Sequence, residues 1–276
     1  MSRTVLITGG NSGIGYEMAL ALAKGGNRII IAARDEAKSA AAVEKIKAAS
    51  PGAQIAAVKL DLADFAQIDR FADYLLKRVP TIDVLILNAG MYTTKLQTLP
   101  SGYEAMIGVM HFGHFRLAQR LLDAVVAAPQ GRIIVTSSMM HKLGRIDARS
   151  FTKPSKHLTS MHAYGQAKLA NLLFVRELAL RLKNTRVTVN AFHPGAVATD
   201  IYRQLPAPLA RLMKAFMLTP QQGADTAVWM ATDDKFRTVT GKYYVNRSRR
   251  HGSSTSRDMD VAARLWRLSE KAMKAT

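Results

Sequence analysis

The sequence predicts a doubly wound α/β fold, a mostly parallel sheet of about seven strands with helices on both faces. Three observations carry this prediction. Short apolar runs alternate along the whole chain with amphipathic runs of helix length. The first apolar run passes directly into the turn Gly9-Gly10-Asn11-Ser12-Gly13-Ile14-Gly15 and then into a helical pattern. Later apolar runs end in small or polar residues: Asp61-Leu62, Asn88-Ala89-Gly90, Ser137-Ser138 and His193-Pro194-Gly195. Open parallel sheets place their ligands at such carboxyl ends.

In order, strands are expected at 3–8, 28–33, 54–60, 84–87, 131–136, 187–192 and 242–245. Helices are expected at 16–24, 35–49 with Asp35 as cap, 64–78, 101–128, 164–183, 223–231 and 258–275. Ser50-Pro51-Gly52 and Pro80 separate elements as breakers. The stretches MMHKLGRID and VNRSRRHGSSTSRD read as loops, and 201–220, interrupted by prolines, reads as a substrate lid on a single domain spanning 1–276. No internal repeat or domain-sized linker divides the chain.

Hydrophobic residues make up 48% and charged residues 21%, as in an ordinary globular protein. Without cysteine there is neither a disulfide framework nor a thiolate zinc site, and the histidines have no paired acid or cysteine, so no metal site is expected. The N-terminus lacks a leader pattern and no apolar run reaches bilayer length, which sets the expectation of a soluble, cytoplasmic protein. Lys and Arg outnumber Asp and Glu by 39 to 20, a net +19. No nucleic-acid motif accompanies this charge, so specific nucleic-acid binding is not expected; a solvated basic surface with weak polyanion or membrane-surface contact is.

The glycine turn has the spacing TGxxxGxG. Gly9 permits a tight turn, Gly13 lets backbone approach a pyrophosphate at the helix N-terminus, and Gly15 allows close helix packing, with Asn11, Ser12 and Ile14 completing the loop. The second strand ends Ala33-Arg34-Asp35: an acid there would bind ribose hydroxyls, whereas Arg34 can pair with a 2′-phosphate, favouring NADP(H). The other reading of Arg34 is a surface arginine at a helix start. Asp61 can accept from an adenine amino group with Leu62 against the ring, or can cap the next helix. Asn88, Ala89 and Gly90 are small enough for a flat cofactor to lie close. In Tyr164-Gly165-Gln166-Ala167-Lys168, helical spacing puts a phenol and an ammonium on one face. The cation favours phenolate and makes Tyr164 a poised acid.

The ordered set TGGNSGIG, Asp61-Leu62, NAG, Ser138, YGQAK and HPGAVATD resembles the short-chain dehydrogenase/reductase family from end to end. The runs AARD, GHF, SSMMHKLGRID and KLANLLFVRELALRL resemble its retinol dehydrogenase and protochlorophyllide reductase branch. The resemblance implies a Rossmann-type fold, NADP(H), and a bulky apolar small-molecule substrate. It implies Tyr164 as general acid or base, Lys168 as the cation that tunes it and binds the nicotinamide ribose, and Ser138 as donor to the substrate oxygen. Pro194, Gly195, Val197 and Thr199 would hold the nicotinamide. Met91, Tyr92, Met140, His141 and Tyr202 would finish the substrate pocket. A homodimer through the two long helices, or a monomer, is implied.

One departure stands out. The family places an asparagine in the context VNHxGHF, where this chain has Met110. In the family the helix is irregular there, and the asparagine backbone carbonyl holds a water that relays protons to the lysine; a thioether cannot replace the amide's donors and acceptor. Three readings follow: an ordinary reductase, a chemistry less dependent on the relay such as reduction of an activated double bond, or a catalytically silent NADP-binding sensor or scaffold. His111 and His114 are already part of the branch pattern and need not be substitutes.

Overall fold

A computed structural model describes residues 2–152, 158–196 and 218–274. Strands β1 (Thr4–Thr8), β2 (Arg28–Ala33), β3 (Ile55–Lys59), β4 (Val84–Leu87), β5 (Arg132–Thr136), β6 (Thr188–His193), β7 (Tyr243–Val245) and β8 (Ser248–Arg250) form a sheet of order β3-β2-β1-β4-β5-β6-β7-β8. The first seven are parallel; β8 pairs antiparallel with β7. The order reverses between β1 and β4, so the loops after these strands diverge and leave a crevice at the switch point.

Alternation along the strands builds two cores. Leu6, Ile30, Leu85, Leu87, Ile133, Val135 and Val189 face one layer, with α3 (Phe65–Leu76), α5 (His114–Val126), α6 (Ser160–Arg181) and α8 (Met259–Lys274). Val5, Ile7, Ile29, Ile31, Val84, Ile86 and Phe192 face the other, with α1 (Gly13–Lys24), α2 (Glu36–Ala49) and α7 (Pro220–Thr232). Both faces of β1, β4, β5 and β6 are thus covered, which is why these strands read as apolar runs, while the edge strand β3 stays partly exposed.

Three segments differ from expectation. VNRSRRHGSSTSRD is not all loop, because Asn246 (φ 48°) and Arg247 (φ 56°) form a two-residue turn that folds β8 back on β7. The expected helix at 101–128 begins only at α4 (Ala105–Ile107), where the buried Glu104 carboxylate accepts from the Met106 and Ile107 amides. It then widens into a π-helical turn over Gly108–Gly113 before α5. MMHKLGRID contains a 3₁₀ turn, Met139–Leu143, capped by Ser138. Asp35 caps α2 as expected, through Lys38 N, while α3 is capped by Asp64 and not by Asp61.

Candidate active site

The glycine turn and the β4 end interlock at the switch point. Gly9 has φ +66° and donates its N–H to Ala32 O at 2.8 Å, closing the turn as the sequence required. A Cβ on Gly15 would lie 2.1 Å from Gly9 O and 2.8 Å from Asn88 Nδ2, so α1 starts pressed against the turn. Asn88 donates through Nδ2 to Thr8 O at 3.1 Å, and the Asn88 and Ala89 N–H groups donate to Thr8 Oγ1 at 2.8 and 3.0 Å. Asn11 is turned outward, donating to Ser39 Oγ at 3.1 Å and bracing the loop on α2. Ser12 and Gly13 remain exposed, Gly13 with φ +51°, and Ser12 makes no capping hydrogen bond.

At the β2 tip Arg34 is exposed and makes no ion pair among the described residues; Asp35 pairs with Lys38 instead. Asp61 accepts from Ala63 N at 3.0 Å, and Leu62 is buried in the core. Gly90 is exposed, and a Cβ there would meet Met110 Sδ at 3.5 Å and Lys168 Nζ at 3.6 Å, so the NAG turn borders the lysine directly.

β5 delivers the serines. Ser137 donates to Lys168 O at 2.8 Å and is committed to joining β5 to α6. Ser138 Oγ accepts the Met140 N–H at 3.2 Å, which leaves the hydroxyl proton free to donate. The serine is therefore both a cap and a poised donor. Lys168 is 3% exposed, its Nζ donates to Thr136 O at 3.3 Å and lies 5.5 Å from the centroid of the Tyr164 ring. Burial pulls the ammonium down to about 8. Asn171 Nδ2 donates to the same Thr136 carbonyl at 3.0 Å, holding the acceptor in place. Tyr92 packs edge-on to Tyr164, ring centroids 5.7 Å apart, and Met91 and Tyr92 pack against the same core.

His141, expected to face substrate, has its ring committed elsewhere. Nδ1 donates to Ser138 O at 2.7 Å, Nε2 accepts from Ser253 N at 3.1 Å, and the ring meets Tyr243 edge-on. It braces the Ser138 turn against the loop after β8. Pro194 and Gly195 (φ +90°) follow β6, and Met140 is partly exposed beside Ser138. Val197, Thr199, Tyr202 and the expected lid at 201–220, apart from 218–220, lie outside the described residues.

Sequence reading did not find Thr8, Thr136, Asn171 or the role of His114. Met110 is fully buried in the π-helical turn, and its carbonyl accepts from His114 Nδ1 at 3.0 Å. His111 turns to the opposite side, donating Nε2–H to Ser269 Oγ at 2.8 Å, while Ser269 donates to Leu265 O. Desolvation holds both imidazoles neutral, near 3. Thr8 and Thr136 are short strand-end residues whose sequence context carries no chemical pattern, and only the register of β1, β4 and β5 brings them together.

A glycine turn at the switch point, an arginine at the β2 tip without an ion pair among the described residues and a buried lysine beside a tyrosine are the features that a nicotinamide-dependent oxidoreductase would use. The description "short chain dehydrogenase" matches residues 3–209, and the chain belongs to that family. Mouse "Retinol dehydrogenase 12" is 39% identical over 269 residues, covering 97% of this chain and 85% of that protein. A crystal structure of a Mycobacterium paratuberculosis protein aligns with TM-score 0.80 at 32% identity, over 99% of this chain and 93% of that one. The "RhlG/NADP active-site complex" of Pseudomonas aeruginosa aligns with TM-score 0.73 at 26% identity, over 88% and 94%.

Proposed function

We propose that this chain transfers hydride between NADP(H) and a carbonyl or alcohol of a bulky apolar small molecule. The observation that carries the reading is the buried Lys168 ammonium placed beneath the Tyr164 ring, with the free Ser138 hydroxyl on the neighbouring strand end. The residues fit the cofactor. Arg34 has no carboxylate partner among the described residues, the exposed Ser12 and Gly13 open α1, and Gly90 borders the Lys168 ammonium. Of the three ammonium donors, one is used on Thr136 O, leaving donors for ribose hydroxyls.

When bound, a nicotinamide cofactor would supply or accept the hydride. Ser138 donates to the substrate oxygen and stabilises the charge that develops there. Tyr164 passes its proton to that oxygen in reduction, or takes it in oxidation, and the neighbouring Lys168 cation favours the phenolate left behind. The RhlG complex supports NADP, and the name of the retinol dehydrogenase relative supports a large apolar alcohol or aldehyde. Met91, Tyr92 and Met140 would line the apolar side. We further propose that the chain is monomeric, because α8 covers the outer face of α5 and α6: Trp266 stacks on Phe174 at 6.0 Å and meets Phe115 edge-on at 4.9 Å.

Met110 motivates the competing reading, an NADP-binding protein without turnover. Purified protein is to be assayed with NADPH and NADH over long-chain and polyene aldehydes, ketones and enones. The proposal expects faster oxidation of NADPH than NADH with at least one apolar carbonyl. NADPH binding without turnover on the whole panel would select the silent reading.

A further inference from the structure

The hydrogen-bond roles around His114 fix every proton. Met110 O can only accept, so Nδ1 must carry the imidazole proton across the 3.0 Å contact. In the neutral ring Nε2 then has only a lone pair, and the Thr8 hydroxyl, 2.9 Å away, must be its donor. With its hydrogen so directed, Thr8 Oγ1 turns its lone pairs to the Asn88 and Ala89 N–H groups at 2.8 and 3.0 Å. A second acceptor for the Thr8 hydroxyl, Ile86 O, is farther away, at 3.4 Å. From Asn88 the network continues, since Thr136 Oγ1 donates to Asn88 Oδ1 at 3.3 Å and Lys168 Nζ donates to Thr136 O. His114 is 2% exposed, so bulk solvent does not reach either bond.

We propose that His114 is a positioning residue for the cofactor cradle: by accepting from the Thr8 hydroxyl it sets the Asn88–Ala89 turn on which the cofactor would lie, while its other ring nitrogen holds the Met110 carbonyl of the π-helical turn. The same bond occupies a lone pair of the Met110 carbonyl, so the carbonyl is held by protein and not left entirely to a relay water. The imidazole acts through Thr8 and touches no reacting atom. The argument rests on the NADP(H) reading above.

The test separates the two ends of the ring. In His114→Gln the amide reaches the Nε2 position and can still accept from Thr8; in His114→Asn it reaches only the Nδ1 position and can still donate to Met110 O. NADPH dissociation constants are measured by fluorescence titration on full-length protein, with thermal melts alongside. The Gln variant is expected within about 2-fold of the unsubstituted protein, and the Asn variant about 10-fold weaker. Thr8→Val is expected to match Asn, and Thr8→Val with His114→Asn to be no weaker than Thr8→Val alone. Equal affinity for the Gln and Asn variants, or additive losses in the double variant, would overturn the role of His114. If the threonine variants do not fold, the Gln and Asn pair decides alone, and if either of that pair is unfolded by its melt the role fails as one of stability only. Failure of the unsubstituted protein to bind NADPH would instead refute the cofactor reading.

Discussion

Replacing Lys168 by methionine should stabilise the cofactor-free protein while abolishing turnover. Lys168 is 3% exposed, and burial lowers its ammonium from 10.5 to about 8. Since each unit is worth about 1.4 kcal/mol, holding the charge at pH 7 costs about 3 kcal/mol of folding stability. Lys168→Met keeps the chain length and removes the charge. It also loses the 3.3 Å hydrogen bond to Thr136 O, worth about 1 kcal/mol, so the net gain is about 2 kcal/mol. For a chain of this size that is a rise in Tm of about 4 °C. The pH dependence has a definite sign. The folded pKa lies below the unfolded one, so the penalty is complete below about pH 8 and disappears as pH rises toward 10.5. The advantage of the variant should therefore shrink across that window and reverse above it, where only the lost hydrogen bond remains. Thermal and urea unfolding from pH 7 to 10.5, without cofactor, measure this. A variant less stable than the unsubstituted protein at pH 7 would refute the claim that Lys168 is held charged at a cost to folding for the sake of the site.

Two further outcomes follow from the cofactor cradle. Gly15→Ala puts a methyl 2.1 Å from Gly9 O, backbone that cannot yield without opening the turn; NADPH binding should weaken more than about 10-fold and the fold lose about 1–3 kcal/mol, read by titration and urea unfolding. Arg34→Ala removes the unpaired guanidinium at the β2 tip, and should weaken NADPH about 10-fold or more while leaving NADH within about 2-fold in the same titration.

The inner parallel strands and both cores were legible because strands such as β1, β4, β5 and β6 are buried on two faces and so read as apolar runs. The glycine turn was legible down to its members: Gly9 at positive φ and Gly15 with no room for a Cβ are as the spacing required. β8 was not, because Ser248, Arg249 and Arg250 are all exposed and carry no apolar alternation; the turn before it uses Asn246 and Arg247 where glycine would have announced it. The π-helical turn was legible only through the family resemblance, which implies an irregular helix at Met110; the hydrophobic pattern does not show it. An extra residue in a helix shifts the register of the residues around it without changing which of them are apolar, so MIGVMHFGHF scans as one helix. At the candidate site, Tyr164, Lys168 and Ser138 are proposed from spacing and motif, whereas the hydrogen bonds among Thr8, His114, Asn88 and Thr136 join residues 48 to 106 positions apart and exist only once β1, β4 and β5 are in register. His141 shows how a side chain's partners escape the sequence. A histidine three residues after Ser138 suggests a substrate contact, yet its ring nitrogens serve the Ser138 carbonyl and the Ser253 amide.

The central claim is that Tyr164, tuned by Lys168, exchanges the proton with substrate. Tyr164→Phe leaves the ring that packs on Tyr92 and removes only the hydroxyl. With NADPH and whichever carbonyl the unsubstituted protein reduces, the variant should bind NADPH with the same affinity and lose turnover by at least about 1000-fold. Turnover within about 10-fold of the unsubstituted protein would contradict the assignment.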